Sequence, residues 1–255
     1  MSDNKLIPDC VDKPLEQILV PASKSIGESL SDIWYLVVGG RISLARNKKE
    51  LEYDQKFRKF KEEVLKEADS VPEERRVDPD FRIAAQALED SIYCLNVDEL
   101  REMFVKLLGK TVDKSAQDLL HPSYPNIIKQ MSPLDAKLLT MLKRNPRIPI
   151  VNYISKRKGN TGFRMIQRDV ILSERIQADE FHIAMSISAL RQWGIISVNN
   201  GEWFTDDSQY EIFRQSEFFA SITKEHAQYN ESVEIQKGIC ELTSFGRAFT
   251  HCCVP

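Results

Sequence analysis

Through the first 145 residues apolar positions recur every three or four places, and after Pro146 they gather in short β-type runs. Leu15, Ile18, Leu19, Ala22, Ile26, Leu30, Ile33, Trp34 and Val37 trace one side of a helix from Pro14 to Val38. Small residues in that region (Ala22, Ser23, Gly27, Ser31) allow close helix approach. Arg41 to Ser70 mixes both charge signs around a narrow seam of Tyr53, Phe57, Phe60 and Val64. That seam suits either a helix packed on its own domain or an oligomer contact. Glu52–Lys56 and Glu62–Lys66 stand four apart, where opposite charges support a helix by roughly 0.2–0.5 kcal/mol per pair; Glu63–Glu67 repel. A turn-rich linker between Val71-Pro72 and Asp78-Pro79 leads to a helix over Pro79–Leu95 that uses Phe81, Ala84, Ala85, Leu88, Ile92 and Leu95. Asn96-Val97-Asp98-Glu99 reads as a cap with an acid at the third position. Leu100, Met103, Phe104, Leu107 and Leu108 follow as an amphipathic helix closed by Gly109.

Short helices are expected around Lys114–Leu120 and Tyr124–Gln130. The next start is the clearest in the chain. Ser132 caps, Pro133 takes the first helical position, and Asp135 faces the free N–H groups of the first turn. Leu134, Leu138, Met141 and Leu142 continue at helical spacing until Asn145-Pro146 ends the run.

Beyond Pro146 the spacing predicts a strand through Ile148, Ile150, Val151, Tyr153 and Ile154, a polar loop over 156–162, and a second strand from Phe163 to Leu172. A helix over Ala178–Trp193 carries Phe181, Ala184, Ile187 and Leu190 on one side. Gly194 then opens a strand Ile195–Val198, Ser232–Cys240 forms another, and Thr243 caps a final helix. The succession Leu190-Arg191-Gln192-Trp193-Gly194-Ile195-Ile196-Ser197-Val198, then Leu242-Thr243-Ser244-Phe245-Gly246-Arg247-Ala248-Phe249, resembles the end of a winged-helix module. The interval Asn199–Glu231 is far longer than a wing and predicts a further helix over Tyr210–Lys224. The expected fold class is α+β, predominantly α: a helical domain over 1–145 followed by a smaller winged-helix-like α+β domain over 146–255.

Charge narrows the function. The net charge is −3, and neither side of Asn145 is basic, so bulk attraction to nucleic acid is not indicated. Five cysteines (Cys10, Cys94, Cys240, Cys252, Cys253) form no framework spacing, and the polar start Met1–Cys10 is unlike a secretory signal, so a cytoplasmic protein with free thiols is expected. The apolar run Ile33–Val38 is about a third of the roughly 20 residues a membrane span requires. A membrane-surface helix remains an alternative for that region, with Trp34 and Leu36 as its test residues.

Chemical candidates are few. The glycines are scattered, with only Gly39-Gly40 adjacent, and no phosphate-cradling loop is formed. Cys240, His251, Cys252 and Cys253 form the one group with ligand types for zinc. Ser221 and Lys224 have the spacing of serine enzymes that interact with penicillin, without companion motifs. Asp80 with Asp135 and Lys137 is faintly similar to metal-dependent nucleases, yet both acids stand where helix caps are expected. His182 has no partner placed by sequence to make it a general base. For DNA, the helix over 178–193 offers Arg191 against Asp179 and Glu180; phosphate contact would fall to Lys156, Arg157, Lys158, Arg164 and Arg168. No catalytic, cofactor-binding or metal-binding residue is assigned, and no cofactor is expected.

Several segments in order carry a wider resemblance. They are Pro21–Gly27, the charged helix near Tyr53–Phe60, Asp98–Phe104, His121-Pro122-Ser123-Tyr124, Ile127–Ala136, and the Leu242-Thr243…Phe245-Gly246 turn. From about Pro21 to His251 the chain resembles the abortive-infection alpha family of bacterial proteins linked to phage defence. The resemblance implies a defence role and supplies no catalytic residues. The expectation is a non-enzymatic protein acting through protein–protein contacts, through self-association, or as a triggered effector. A winged-helix DNA-binding regulator and a membrane-surface effector are the alternatives.

Overall fold

The computed structural model describes residues 26–42 and 48–255, except 158, 160, 174, 175 and 177; residues 26–28, 38–42 and 48–54 are described as backbone only. The expected helix before Ile26, its small residues Ala22 and Ser23, and the side chain of Tyr53 lie outside that description.

Six helices come first: α1 (Ile26–Ile42), α2 (Lys48–Asp69), α3 (Phe81–Ser91), α4 (Asp98–Thr111), α5 (Tyr124–Gln130) and α6 (Pro133–Arg144). Two 3-10 turns, Glu73–Arg75 and Lys114–Leu119, link them. The narrow seam of α2 turns inward. Phe57, Phe60 and Val64 are buried, and Trp34 of α1 packs on Phe57 and Phe60 with ring centroids 4.6 and 5.6 Å apart. The charged flank of α2 also pairs across to α4, Glu63 with Arg101 at 3.1 Å and Glu67 with Lys106 at 2.7 Å. Packing on its own domain thus accounts for the seam.

Asp113 ties the linker to the end of α4. It is 1% exposed and accepts hydrogen bonds from Arg75 (2.6 Å), Ser115 (2.7 Å) and Lys110 (3.0 Å). Burial alone would raise its carboxyl, but those donors outweigh it and hold the group well below the usual carboxylate range.

The second half builds an antiparallel sheet in the order β2-β1-β4-β3, from β1 (Arg147–Arg157), β2 (Arg164–Val170), β3 (Ile196–Asn199) and β4 (Glu231–Leu242). α7 (Glu180–Gln192) precedes β3, α8 (Ser208–Arg214) and α9 (Glu217–Ala227) fill the interval before β4, and α10 (Ser244–Cys253) ends the chain. β1 is buried on both faces. Ile148 and Ile150 join the main core with Leu142, Leu190 and Phe249, while Val151 and Tyr153 join a second cluster with Tyr210, Phe213 and Ile222. One apolar core therefore runs across the helix-to-strand change at residues 144–147.

Four local expectations are corrected. Gly109 does not close α4; it sits inside it, where a Cβ would come within 2.4 Å of the Glu67 side chain, so the residue serves close packing of α4 on α2. The cap before α4 is Val97, which makes no side-chain cap bond, so the expected box at Asn96–Glu99 is not formed. Phe81 and Phe181, expected to face inward, are 55% and 64% exposed. The helix expected over Tyr210–Lys224 is two helices, because Ser216 accepts the Phe219 N–H at 3.1 Å and starts a new one.

The last turn before α10 is held by backbone proximity. Thr243 caps the helix through the Gly246 N–H (2.9 Å), and its own N–H donates to the Ile195 carbonyl (3.0 Å). A Cβ on Gly246 would lie 1.9 Å from that same carbonyl oxygen. Gly246→Ala is expected to cost about 3 kcal/mol, because backbone must move to admit it, read as a lower urea midpoint with an unchanged slope. Asp113→Asn should cost on the order of 2–3 kcal/mol at pH 7. A carboxyl held low stabilises above its unfolded value, so the wild-type advantage should shrink as pH falls below about 4; urea titrations of both chains at several pH values measure it.

Candidate functional site

The first turn of α6 faces α7 across an open groove of about 830 Å³, with Trp193 among its lining. Leu134, Ile176 and Met185 are among its apolar lining. Met185 is 56% exposed, and Phe181, one turn earlier on α7, extends apolar surface beyond the groove.

Both helix starts at the groove carry a carboxylate of the chain itself. On α6 the capping box is complete: Ser132 Oγ accepts the Asp135 N–H at 3.2 Å, and Asp135 Oδ2 accepts the Ser132 N–H at 2.6 Å. On α7, Asp179 Oδ1 accepts the His182 N–H at 2.9 Å, and His182 Nδ1 lies 2.8 Å from both carboxylate oxygens. The His182 backbone N–H, followed by its ring, holds the Asp179 carboxyl below its ordinary value. A helix N-terminus attracts anions through its free N–H groups; here the Ser132 N–H serves Asp135, the Asp135 N–H serves the Ser132 hydroxyl, and the His182 N–H serves Asp179. The other oxygen of Asp135 is different. Oδ1 is buried and has no hydrogen-bond partner among the described residues, on a residue that lines the groove and is 4% exposed.

The chemistry candidates are dispersed. Lys156 pairs with Glu234 at 2.6 Å, and Arg157 stands opposite Glu231 in the β1–β4 ladder, so acids of β4 face the cations expected for phosphate. Arg164 and Arg168 are exposed on β2, and Lys158 lies outside the described residues. Arg191 lies 3.6 Å from Asp169. Asp80 caps α3 through the Ile83 N–H (3.1 Å), and Lys137 pairs with Glu99 at 3.2 Å, so these residues and Asp135 have structural work in separate places. Ser221 Oγ donates to the Phe218 carbonyl at 2.8 Å. Cys240 is in the sheet opposite Ile148, whereas Cys252 and Cys253 are buried in α10. Burial pushes the Cys240 thiol up to about 12 and that of Cys252 up to about 11. Among the described residues no three His, Cys, Asp or Glu side chains are grouped so as to hold a metal ion. Trp34 is buried, and among the described side chains of α1 the exposed large apolar ones are Tyr35 and Leu36. Among the described residues no helix is long and apolar enough to cross a membrane.

The model of the family described as abortive infection alpha matches residues 52–253. The chain belongs to that family. No curated protein matches it. A solved structure, that of the uncharacterized protein from the hydrocarbon-degrading marine bacterium Alcanivorax borkumensis SK2, is similar at 17% identity over 53% of this chain and 92% of that one, with a TM-score of 0.34.

Two segments that carry the abortive-infection alpha resemblance meet in space. Tyr124, from His121-Pro122-Ser123-Tyr124, packs against Phe245 and Phe249 of α10 with ring centroids 5.5 and 5.0 Å apart, and His121 lies 5.5 Å from Phe245. Tyr124 donates to the Leu119 carbonyl at 3.0 Å, and burial raises its hydroxyl pKa well above normal. His121 Nδ1 is 2.7 Å from Ser123 Oγ, a contact unremarked in the sequence, yet it also accepts the Ser123 N–H at 3.2 Å. That is a turn closed on itself, which leaves the hydroxyl and ring tied to local structure.

Sequence reasoning identified the α6 cap and missed the groove, whose walls are 45 residues apart between Asp135 and Glu180. Phe181 and Met185, four apart, were the one readable signal. A mobility-shift assay with duplex DNA at low salt should show no salt-sensitive complex, and changing Lys156 and Arg157 to Glu should leave the result unaltered.

Proposed function

We propose that this abortive-infection alpha protein acts in phage defence by binding a partner protein through the groove between α6 and α7, without catalysing a reaction. The observation that supports this reading is an open, largely apolar groove continued by exposed Phe181 and Met185. Exposed apolar surface of this kind is costly to leave in water and is a common mark of a recognition face. The titratable groups Asp179, His182 and Lys137 around it are engaged in a helix cap or an ion pair.

The order β1-β4-β3 with α7 ahead of β3 supports a winged-helix-like reading, with α8 and α9 standing where a wing would be. The exposed face of α7 then favours protein over DNA. It presents Phe181, His182 and Met185, and its one arginine lies beside Asp169. A cytoplasmic setting, reached by a trigger during infection, completes the proposal.

The test is phage challenge of cells carrying wild type, no protein, or the double variant Phe181→Asp/Met185→Asp. Wild type should lower phage yield, and the variant should lose that effect while keeping the wild-type melting temperature. Equal protection by a folded variant would remove the groove from the mechanism; equal yield with and without wild type across a broad panel would remove the defence role.

A further inference from the structure

We propose that the partner at this face is a second copy of the chain, packed through α7 in antiparallel orientation about a two-fold axis. This rests on the reading of the groove and its apolar continuation as a protein-binding surface, and it concerns only residues of α7. Ile183, Ser186, Ile187 and Leu190 turn into the core, whereas Phe181, Met185, Ser188 and Gln192 stand exposed on the other side. The exposed four step by 4, 3 and 4, the spacing of a seam between two helices. Ser188 can enter such a seam without an unmet hydroxyl, because its Oγ donates to the Ala184 carbonyl at 2.9 Å.

What selects a second copy is that the face complements itself. Bulk declines along the seam, from Phe181 and Met185 to Ser188 and Gln192. Reversing one helix against another sets Phe181 beside Gln192 of the second copy and Met185 beside its Ser188, large on small. Charge follows the same rule. α7 carries the half-buried Glu180 in its first turn and the exposed Arg191 in its last. Eleven residues make about three helical turns, so both lie on one flank of the seam. A two-fold that reverses the helix brings like flanks together, and each Glu180 then meets Arg191 of the other copy. Arg191 lies 3.6 Å from Asp169, and its half-exposed guanidinium has five N–H donors with which to serve a second carboxylate. A parallel pair would instead set the acidic starts side by side, Asp179 and Glu180 against the same residues of the other copy.

Sedimentation velocity of the full chain across a wide concentration range tests this. α7 has 13 residues, so the contact is short, and a reversible monomer–dimer equilibrium is expected. Met185→Glu would place two acids near the axis and should remove the dimer while keeping the wild-type melt. Glu180→Arg and Arg191→Glu should each weaken the dimer at least about tenfold, because an isologous contact suffers every change twice. Mixing these two variants should restore association, since both cross-pairs are then opposite in sign. A misfolded variant would not be rescued in this way. If Arg191→Glu does not fold, Met185→Glu and Glu180→Arg decide the matter. A chain that stays monomeric throughout, or a dimer indifferent to these changes, would overturn the proposal. So would a mixture of folded variants no better associated than its parts. A monomeric wild type whose Phe181→Asp/Met185→Asp variant still loses phage protection would remove the second copy and leave the protein-binding reading intact. The expected dimer beside a folded double variant that protects fully would count against the defence reading alone.

Discussion

A strand buried on both faces must be supplied with two covers, and β1 imposes that demand on the whole chain. Ile148 and Ile150 look into the core built by the N-terminal helices, α7 and α10, while Val151 and Tyr153 look the other way. Covering the second face also brings polar atoms indoors, and these find carbonyls. Tyr153 donates to Phe213 at 3.0 Å, and Tyr210 donates to Gly238 at 3.0 Å. The long interval between β3 and β4 is thereby explained: α8 and α9 are the cover that this face requires.

The first cover is locked by the end of the chain. α10 reaches back to α4 and α6, its rings interleave with Tyr124, and Lys143 of α6 donates to the Val254 carbonyl at 2.6 Å. Gly246 lets the backbone of α10 approach Ile195, so the helix start and the strand entry share one carbonyl. The groove follows from the same assembly. α6 closes the helical half and α7 packs on the sheet, so their junction gathers side chains from both halves into one surface.

Buried charge is handled by close pairing in most of the structure, at Asp113 with Arg75 and at Asp90 with Lys129 at 2.6 Å. Asp169 departs from that pattern. It has a left-handed backbone (φ 55°), donates its N–H to Asn152 Oδ1 at 2.9 Å, and has its carboxyl pushed up by burial against the pull of Arg191. The β1–β2 ladder is irregular beside it, and Asn152 supplies the acceptor that the regular register would have supplied. Asp135 Oδ1 goes further still, buried with no hydrogen-bond partner among the described residues.

Caps, helix periods and strand runs were legible because they are local: Ser132 and Asp135, Thr243, and the burial of Leu100 through Leu108 are decided within a turn or two of chain. The same local rules misplaced Gly109, whose reason lies on α2, and Phe181, whose helix buries Ile183, Ser186, Ile187 and Leu190 in preference to the larger ring. Which face of a helix turns inward depends on what stands opposite, and a single sequence does not contain that distance. The amino-acid order therefore determined the elements, most of their ends and the near-balance of charge. Only the tertiary packing decided that two helix starts meet at one groove, because contacts between residues far apart in the chain are set by how the whole core closes.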